Sequence, residues 1–312
     1  MIRKFYLTKA TESVRLDQFL ASQLPEYSRA YLQKLVKSGT VKLDGNVFSL
    51  NKTLLPGKGT ITVELPEIQS NNEPIAEDFV FDLLYEDSVM AIINKPAGVV
   101  VHPAPGNPDG TVVNALLSRY PELRSDELPD GSRPGIVHRL DKDTSGCLAV
   151  ARTPEAQAKL CEAFAARETG KIYLALTAGV PMQKSGRIEN LIGRHVVNRQ
   201  KMAVVERNGK IAISEYEVMA EGRINNIKTA LVKVRIYTGR THQIRVHLAS
   251  LGCPVLGDEL YGGSRVCPGI PRQMLHAWKL KLPHPVTGEI IKVQAPIPED
   301  IERFYKLMKS GL

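Results

Sequence analysis

The chain has 312 residues, 43% hydrophobic and 24% charged, which excludes a mostly disordered polypeptide and suggests about two domains. With 41 Lys and Arg against 33 Asp and Glu, the formal charge is +8; this points toward a polyanionic partner, nucleic acid first, with ordinary colloidal solubility as the alternative. No apolar run reaches the roughly 20 residues of a membrane span, Met1 to Ala10 lacks the pattern of a secretory leader, and no two of Cys147, Cys161, Cys253 and Cys267 form a CxxC pair, so reduced thiols, a cytoplasmic location and no membrane partner are expected.

From Val14 to about Glu67 the chain reads as a small module of its own. Leu16, Phe19, Leu20 and Leu24 recur at helical spacing. Ser28 suits an N-cap for a second helix over about 29–37. On that helix Tyr31, Leu32, Leu35 and Val36 share one side, and Arg29, Lys34 and Lys37 the other. The basic side is either a solvated face or a contact for a polyanion. A strand over Thr40–Leu43, a hairpin turn at Asp44-Gly45 and a strand over Thr60–Val63 complete the module. Pro66 to Glu77 is polar and proline-flanked, as a linker is. These features predict a division into residues 1–72 and 73–312.

The remainder predicts an α+β domain. Strands are expected at Val89–Asn94, Ile136–Val137, Leu148–Ala151, Ile172–Leu176 and Leu231–Ile236. Helices are expected near Thr111–Arg119, Pro154–Ala166 and His242–Leu251. Three groups of residues carry chemistry. The first is the polar loop within Gly135-Ile-Val-His-Arg-Leu-Asp-Lys-Asp-Thr-Ser-Gly146, which holds His138, Arg139, Asp141, Lys142 and Asp143. Residue types alone leave it open between a functional loop and a solvated hairpin with local ion pairs. The second is the turn and first helical residues after Ile236, with Arg240, His242 and Arg245. Cations there oppose the helix dipole by roughly 0.3–1 kcal/mol each, so an anion is expected nearby, either a phosphate or a carboxylate from elsewhere in the fold. The third is Lys171-Ile-Tyr173, where Tyr173 lies on the strand face opposite Ile172, Leu174 and Leu176, as a stacking platform or a core residue.

GxGxxG, a complete P-loop, HExxH and GxSxG are absent from the sequence. His138, Asp141, Asp143, His242 and His247 show no recognised ligand spacing, so neither a metal nor a cofactor is expected.

The string His138-Arg-Leu-Asp-Lys-Asp-Thr-Ser-Gly146 closely resembles the signature of the RluA-type pseudouridine synthases. Gly239-Arg-Thr-His-Gln-Ile-Arg-Val-His247 resembles their second signature, and Lys171-Ile-Tyr173 their tyrosine motif. Asn94–His102, Pro105–Thr111, Leu256–Gly263 and Leu275–Ala277 fit as well, and the N-terminal module is similar to an S4-like RNA-binding domain. The resemblance implies a mixed, largely antiparallel sheet with a central RNA cleft, and an isomerisation that moves uracil from its N-glycosidic bond to a bond through carbon five. It also implies an RNA partner, 23S ribosomal RNA or its large-subunit precursor first, with another ribosomal or transfer RNA uridine as the alternative, and no obligatory protein partner. By matching position, Asp141 is the expected catalytic aspartate, Arg245 its ion-pair partner and Tyr173 the stacking residue. Arg139, His138, Arg240 and His242, with Arg29, Lys34 and Lys37 of the module, are the expected RNA contacts. Two rival readings remain. A non-catalytic ribosome-assembly factor would not need Asp141, Tyr173 and Arg245 together. A metal-dependent nuclease would use His138, Asp141 and Asp143.

Overall fold

The computed structural model describes residues 2–7, 15–24, 27, 29–47, 57–65, 75–103, 107, 109–123, 133–198 and 200–311, without the side chains of residues 29, 30 and 34. They fall into two compact units, one within Met1–Glu73, the other comprising Pro74–Arg124 and Pro134–Leu312. Ser28 as a cap, the linker over 66–74 and the side chains of Arg29 and Lys34 lie outside the described residues.

The first unit runs β1 (Ile2–Leu7), α1 (Leu16–Gln23), α2 (Arg29–Lys37), β2 (Val41–Leu43), β3 (Asn46–Val47) and β4 (Gly59–Glu64). Its strands form an antiparallel sheet in the order β1-β4-β2-β3. The apolar positions read from helical spacing meet as expected. Leu16, Leu20 and Leu24 pack with Leu32, Leu35 and Val36 over Val41, Ile61 and Val63. Asp44 and Gly45 take φ of 48° and 83°, the left-handed pair that joins tight hairpins. Lys37 is exposed. β1 was not anticipated: it is an edge strand whose Arg3 and Lys4 interrupt the apolar pattern, as charged residues on edges do.

The second unit runs β5 (Asp82–Glu86), β6 (Met90–Lys95), α3 (Val112–Arg119), β7 (Ser145–Ala151), α4 (Pro154–Ala165), β8 (Gly170–Ala178), β9 (Ser185–Arg194), β10 (Met202–Val205), β11 (Lys210–Ile224), β12 (Ile227–Ile236), α5 (Gln243–Ser250), α6 (Gly263–Val266), β13 (Leu275–Pro283), β14 (Ile290–Gln294) and α7 (Glu299–Ser310). A ten-stranded sheet has the order β10-β9-β11-β12-β8-β13-β7-β6-β5, with β14 beside β13. Only β7 and β13 pair parallel, so the sheet is mixed and largely antiparallel. Alternate residues of β6 and β7 feed two apolar layers. Ala91, Ile93, Leu148 and Val150 face α3 and the main core. Ile92, Cys147, Ala149 and Ala151 face Leu160 of α4.

Three helices form close to their expected positions, two of them behind side-chain caps. The Thr111 hydroxyl accepts from Asn114 N–H, and the Thr153 hydroxyl accepts from Ala156 N–H ahead of Pro154. α5 starts after His242 and ends before Gly252, which is left-handed at φ 73°. Leu251 is half out of the core, 37% exposed, although its spacing placed it inward. The strand expected at Ile136–Val137 does not form. Gly135 turns at φ 71°, and Ile136 makes only an isolated bridge to Val150. β5, β9, β11, β13 and β14 were not anticipated, because charged residues interrupt their apolar patterns, and β10, only four residues long, was not anticipated either. Among the described residues, no helix is long and apolar enough to cross a membrane.

The β7–β13 contact positions the site. Gly146, at φ 112°, pairs with Ala277, and a Cβ there would overlap the Ala277 backbone. Gly146→Ala should therefore destabilise the protein by roughly 2–3 kcal/mol. Gly252→Ala, with the same sign of φ but open space around it, should lose only about 1–2 kcal/mol. Urea denaturation of both variants checks the difference; equal losses would place the constraint in φ alone.

Candidate active site

The polar loop between Gly135 and Ser145 leads into β7, and its backbone is held by cations from elsewhere in the sheet. Lys95, at the end of β6, is fully buried, yet its three ammonium protons each have an acceptor. Nζ donates to the carbonyls of Pro96 at 2.7 Å, Val99 at 2.8 Å and Lys142 at 2.9 Å. Burial pulls its pKa down to about 7 against the raising effect of the Asp143 and Asp141 charges. Gly98 N–H donates to the same Lys142 carbonyl at 3.0 Å. From the other side, Arg272 donates to the Asp143 carbonyl at 3.0 Å, while its Nε and Nη2 grip Asp300 of α7 at 2.6 and 2.8 Å.

Asp141 lies on this loop opposite the start of α5. Arg245, 6% exposed, is the third residue of that helix. Its Nη1 donates to Asp141 Oδ2 at 3.0 Å, and its Nε and Nη2 donate to the two oxygens of Asp258 at 2.7 and 3.0 Å. Burial opposes the guanidinium charge, but the Asp258 hydrogen bonds and the two carboxylate charges outweigh it and raise the pKa further. The Asp258 carboxylate is fully buried, whereas that of Asp141 is 19% exposed. Asp258 Oδ1 also accepts the backbone N–H groups of Leu260 and Tyr261, both at 3.0 Å. The anion expected near the helix start is thus a pair of carboxylates.

His242 sits at φ 57° immediately before α5. Tyr261 Oη lies 2.8 Å from Met202 N and 2.9 Å from His242 Nδ1. The hydroxyl accepts from the amide, and in its bond to the imidazole either atom donates according to the His242 tautomer. Burial lowers the His242 pKa, so the ring is neutral near pH 7. A cavity of about 450 Å³ opens here, lined by Arg139, Asp141, Lys142, His242, Arg245 and Arg272 among others.

Tyr173 is buried in the main core on β8. Its hydroxyl pKa is pushed up by burial and then by the Asp141 charge. Two expected RNA contacts are turned away from the cleft. The His138 ring stacks on Phe164 with centroids 4.4 Å apart, and its Nε2 accepts from Ala149 N–H at 2.9 Å. Burial drops its pKa to about 3, so its polar atom is committed to the β7 backbone and the ring is uncharged. Arg240 leans on β11, donating through Nε to the Ile211 carbonyl at 2.9 Å. The five residues weighed as metal ligands do not converge. His247 is bonded to Ser214 and Asn190, and among the described residues no group of three or more His, Cys, Asp or Glu side chains is placed to hold a metal ion.

Lys95, Asp258, Tyr261 and Arg272 were given no role from the sequence. The only signal was that they fall within or beside the strings Asn94–His102, Leu256–Gly263 and Leu275–Ala277, where a lysine ahead of Pro96-Ala-Gly98 and an acid after Gly257 mark turns.

Arg245→Leu should cost about 3–5 kcal/mol, because it strands the buried Asp258 carboxylate. Arg245→Leu with Asp258→Asn should recover part of that loss, which chemical denaturation measures. His247 and His276, 1% and 0% exposed, are held neutral by burial with pKa near 4. A depressed pKa in the folded state means that the unfolded chain binds protons first. The stability of these two sites is therefore complete above about pH 6.5 and falls toward pH 4, by ~1.4 kcal/mol per pH unit for each. Urea midpoints that stay flat between pH 6.5 and 4.5 would contradict this.

Residues 89–250 match the family model described as RNA pseudouridylate synthase, and residues 14–58 match the S4 domain. Ribosomal large subunit pseudouridine synthase D of Xanthomonas campestris is 42% identical across 99% of this chain and 93% of its own length. The protein of the same name from Pseudomonas aeruginosa is 42% identical across 95% and 92%. An uncharacterized RNA pseudouridine synthase of Synechocystis sp. is 42% identical across 98% and 92%. Among solved structures, human RNA pseudouridylate synthase domain containing 1 superposes with a TM-score of 0.57 at 25% identity, covering 74% of this chain and 95% of that one. A match over more than half of the chain, and relatives this similar along nearly all of it, mean that the chain belongs to the RNA pseudouridylate synthase family and is an RNA-uridine isomerase with an N-terminal S4 domain.

Proposed function

We propose that the enzyme converts uridines in a stem-loop of 23S ribosomal RNA to pseudouridine in the cytoplasm, with Asp141 as the catalytic carboxylate. The observation that carries this reading is the shared guanidinium. Arg245 holds Asp258 out of solvent and points its remaining N–H at Asp141 Oδ2. Asp141 Oδ1 accepts no hydrogen bond from a described residue, so one oxygen is aimed and the other is free for substrate. The name shared by the Xanthomonas and Pseudomonas relatives supports the large-subunit target.

The reaction breaks the bond between the anomeric carbon and uracil N1, turns the ring, and joins carbon five to the same sugar carbon. The carbon-five proton leaves and N1 gains one, so nothing is oxidised or reduced. An ionised Asp141 serves either as nucleophile at the anomeric carbon or as base at the neighbouring sugar carbon. Arg245 positions it. Arg139, exposed at the cleft, holds the target base out of its stem, since chemistry on a base requires it to leave the stack. Tyr173, close enough to feel the Asp141 charge, supplies the ring against which uracil packs, worth roughly 1–3 kcal/mol per base. Residues 1–72 form the RNA-binding module, with Arg29, Lys34 and Lys37 as its phosphate-facing side.

The test uses large-subunit ribosomal RNA tritiated at uracil carbon five, with tritium counted after release to water. Asp141→Asn should lower release by roughly 10³-fold or more while leaving RNA affinity within a few-fold. Chelator should leave wild-type release unchanged. Tyr173→Phe should keep most of the activity that Tyr173→Leu loses. Persistent release from Asp141→Asn, or no release from ribosomal RNA by the wild type, would overturn the reading.

A further inference from the structure

Beside the cleft, sharing Leu260 with it, lies a second cavity of about 370 Å³. Its lining includes His195, Lys201 and Arg265, with Val204 and Val246 as an apolar surface and no carboxylate. Many other arginines of this unit are paired. Arg187 meets Glu189, Arg245 meets Asp141 and Asp258, and Arg272 meets Asp300. The side chains of Lys201 and Arg265 have no ion pair or hydrogen bond to any described residue. His195 Nδ1 accepts from Val197 N–H and Asn198 N–H, both at 3.2 Å, so its remaining ring nitrogen carries the proton as a donor. Three donor-bearing residues thus line a pocket that has no carboxylate among its described lining residues, next to an apolar surface.

Tyr261 lines the second cavity. Its hydroxyl joins Met202 of β10 to His242 of the cleft, and Leu260 lines both cavities. Successive nucleotides of one strand, if both were splayed, would have to occupy adjoining sites. We propose that this second pocket is the subsite for the nucleotide flanking the target uridine, its phosphate held by Lys201, Arg265 and His195 and its base laid on Val204 and Val246. The assignment rests on the RNA-modifying reading above and extends it: the enzyme selects its loop by holding two splayed nucleotides rather than one.

The experiment uses a synthetic stem-loop RNA containing the mapped target uridine, tritiated at carbon five, and copies made abasic at the nucleotide before or after the target. Lys201→Ala with Arg265→Ala should raise KM about tenfold and leave kcat within twofold. It should also flatten the dependence of log Kd on log salt by about 1. The charge-keeping pair Lys201→Arg with Arg265→Lys should restore KM. Val204→Trp, at an exposed position, should raise KM by filling the pocket. For wild type, one abasic substitution should cost about tenfold in kcat/KM, and that cost should disappear in Val204→Trp. If wild type turns over the RNA but the alanine pair leaves KM unchanged, or abasic and Val204→Trp losses simply multiply, the subsite is refuted while the enzyme's proposed function stands. If wild type releases no tritium from any RNA, the proposed function fails and the subsite fails with it.

Discussion

One guanidinium shared by two carboxylates is the interaction on which the site depends. A buried arginine is tolerated only when its donors are satisfied, and Arg245 meets this by a two-pronged grip on Asp258. Asp258 is itself held by the Leu260 and Tyr261 amides, so the guanidinium plane has little freedom. The direction of its third interaction follows from that plane: Nη1 points at Asp141. The buried pair acts as a fixed mount, and the more exposed carboxylate is the one left to face the cleft. Removing either end of the mount would leave an uncompensated charge, so the geometry and the stability of the region rest on the same contacts.

Beyond the Arg245 contact to Asp141, the loop is also held through its backbone. Lys95 reaches the Lys142 carbonyl from β6, and Arg272 reaches the Asp143 carbonyl from the segment ahead of β13. Lys95 is placed by the antiparallel pairing of β6 with β7, in which it lies opposite Gly146, and the parallel contact of β7 with β13, which brings the Arg272 segment alongside, needs the missing side chain at the same Gly146. Arg272 also grips Asp300 at the start of α7, so the C-terminal helix contributes to the stiffness of a loop far from it in sequence. The sheet thereby turns three distant segments into one support.

Around the cleft the electrostatics divide by burial. Arg245 and Lys95 are inside and fully engaged, whereas Arg139, Lys201 and Arg265 have no carboxylate partner among the described residues. His138 belongs to the first class although its sequence neighbours suggested the second. Its stacking on Phe164 and its bond from the Ala149 amide make it part of the packing behind β7.

Much of the fold could be read before any coordinates. Helical spacing placed Leu16, Leu20, Leu32 and Leu35 inward in the N-terminal unit, and Asp44-Gly45 marked its hairpin, because local periodicity and left-handed turn residues report which face of an element is buried. The alternation of Val232, Val234 and Ile236 reported a strand in the same way. The edge strand β1 and the charged strands β9 and β11 escaped, because a half-exposed strand that carries salt bridges loses the apolar alternation. Within the site, the helix start bearing Arg245 was evident as cations placed against a helix dipole, whereas the polar loop bearing Asp141 stayed open between a functional loop and a solvated hairpin until its string was matched to a family signature. The pairing of Arg245 with Asp141, 104 residues away, was already implied by the resemblance; tertiary structure alone decided that the same guanidinium also grips Asp258, 13 residues away, that Lys95 is buried beneath the loop, and that His138 turns from the cleft. Those outcomes depend on which strands pair in register and which charges lose their water, and neither is written in the spacing of neighbouring residues.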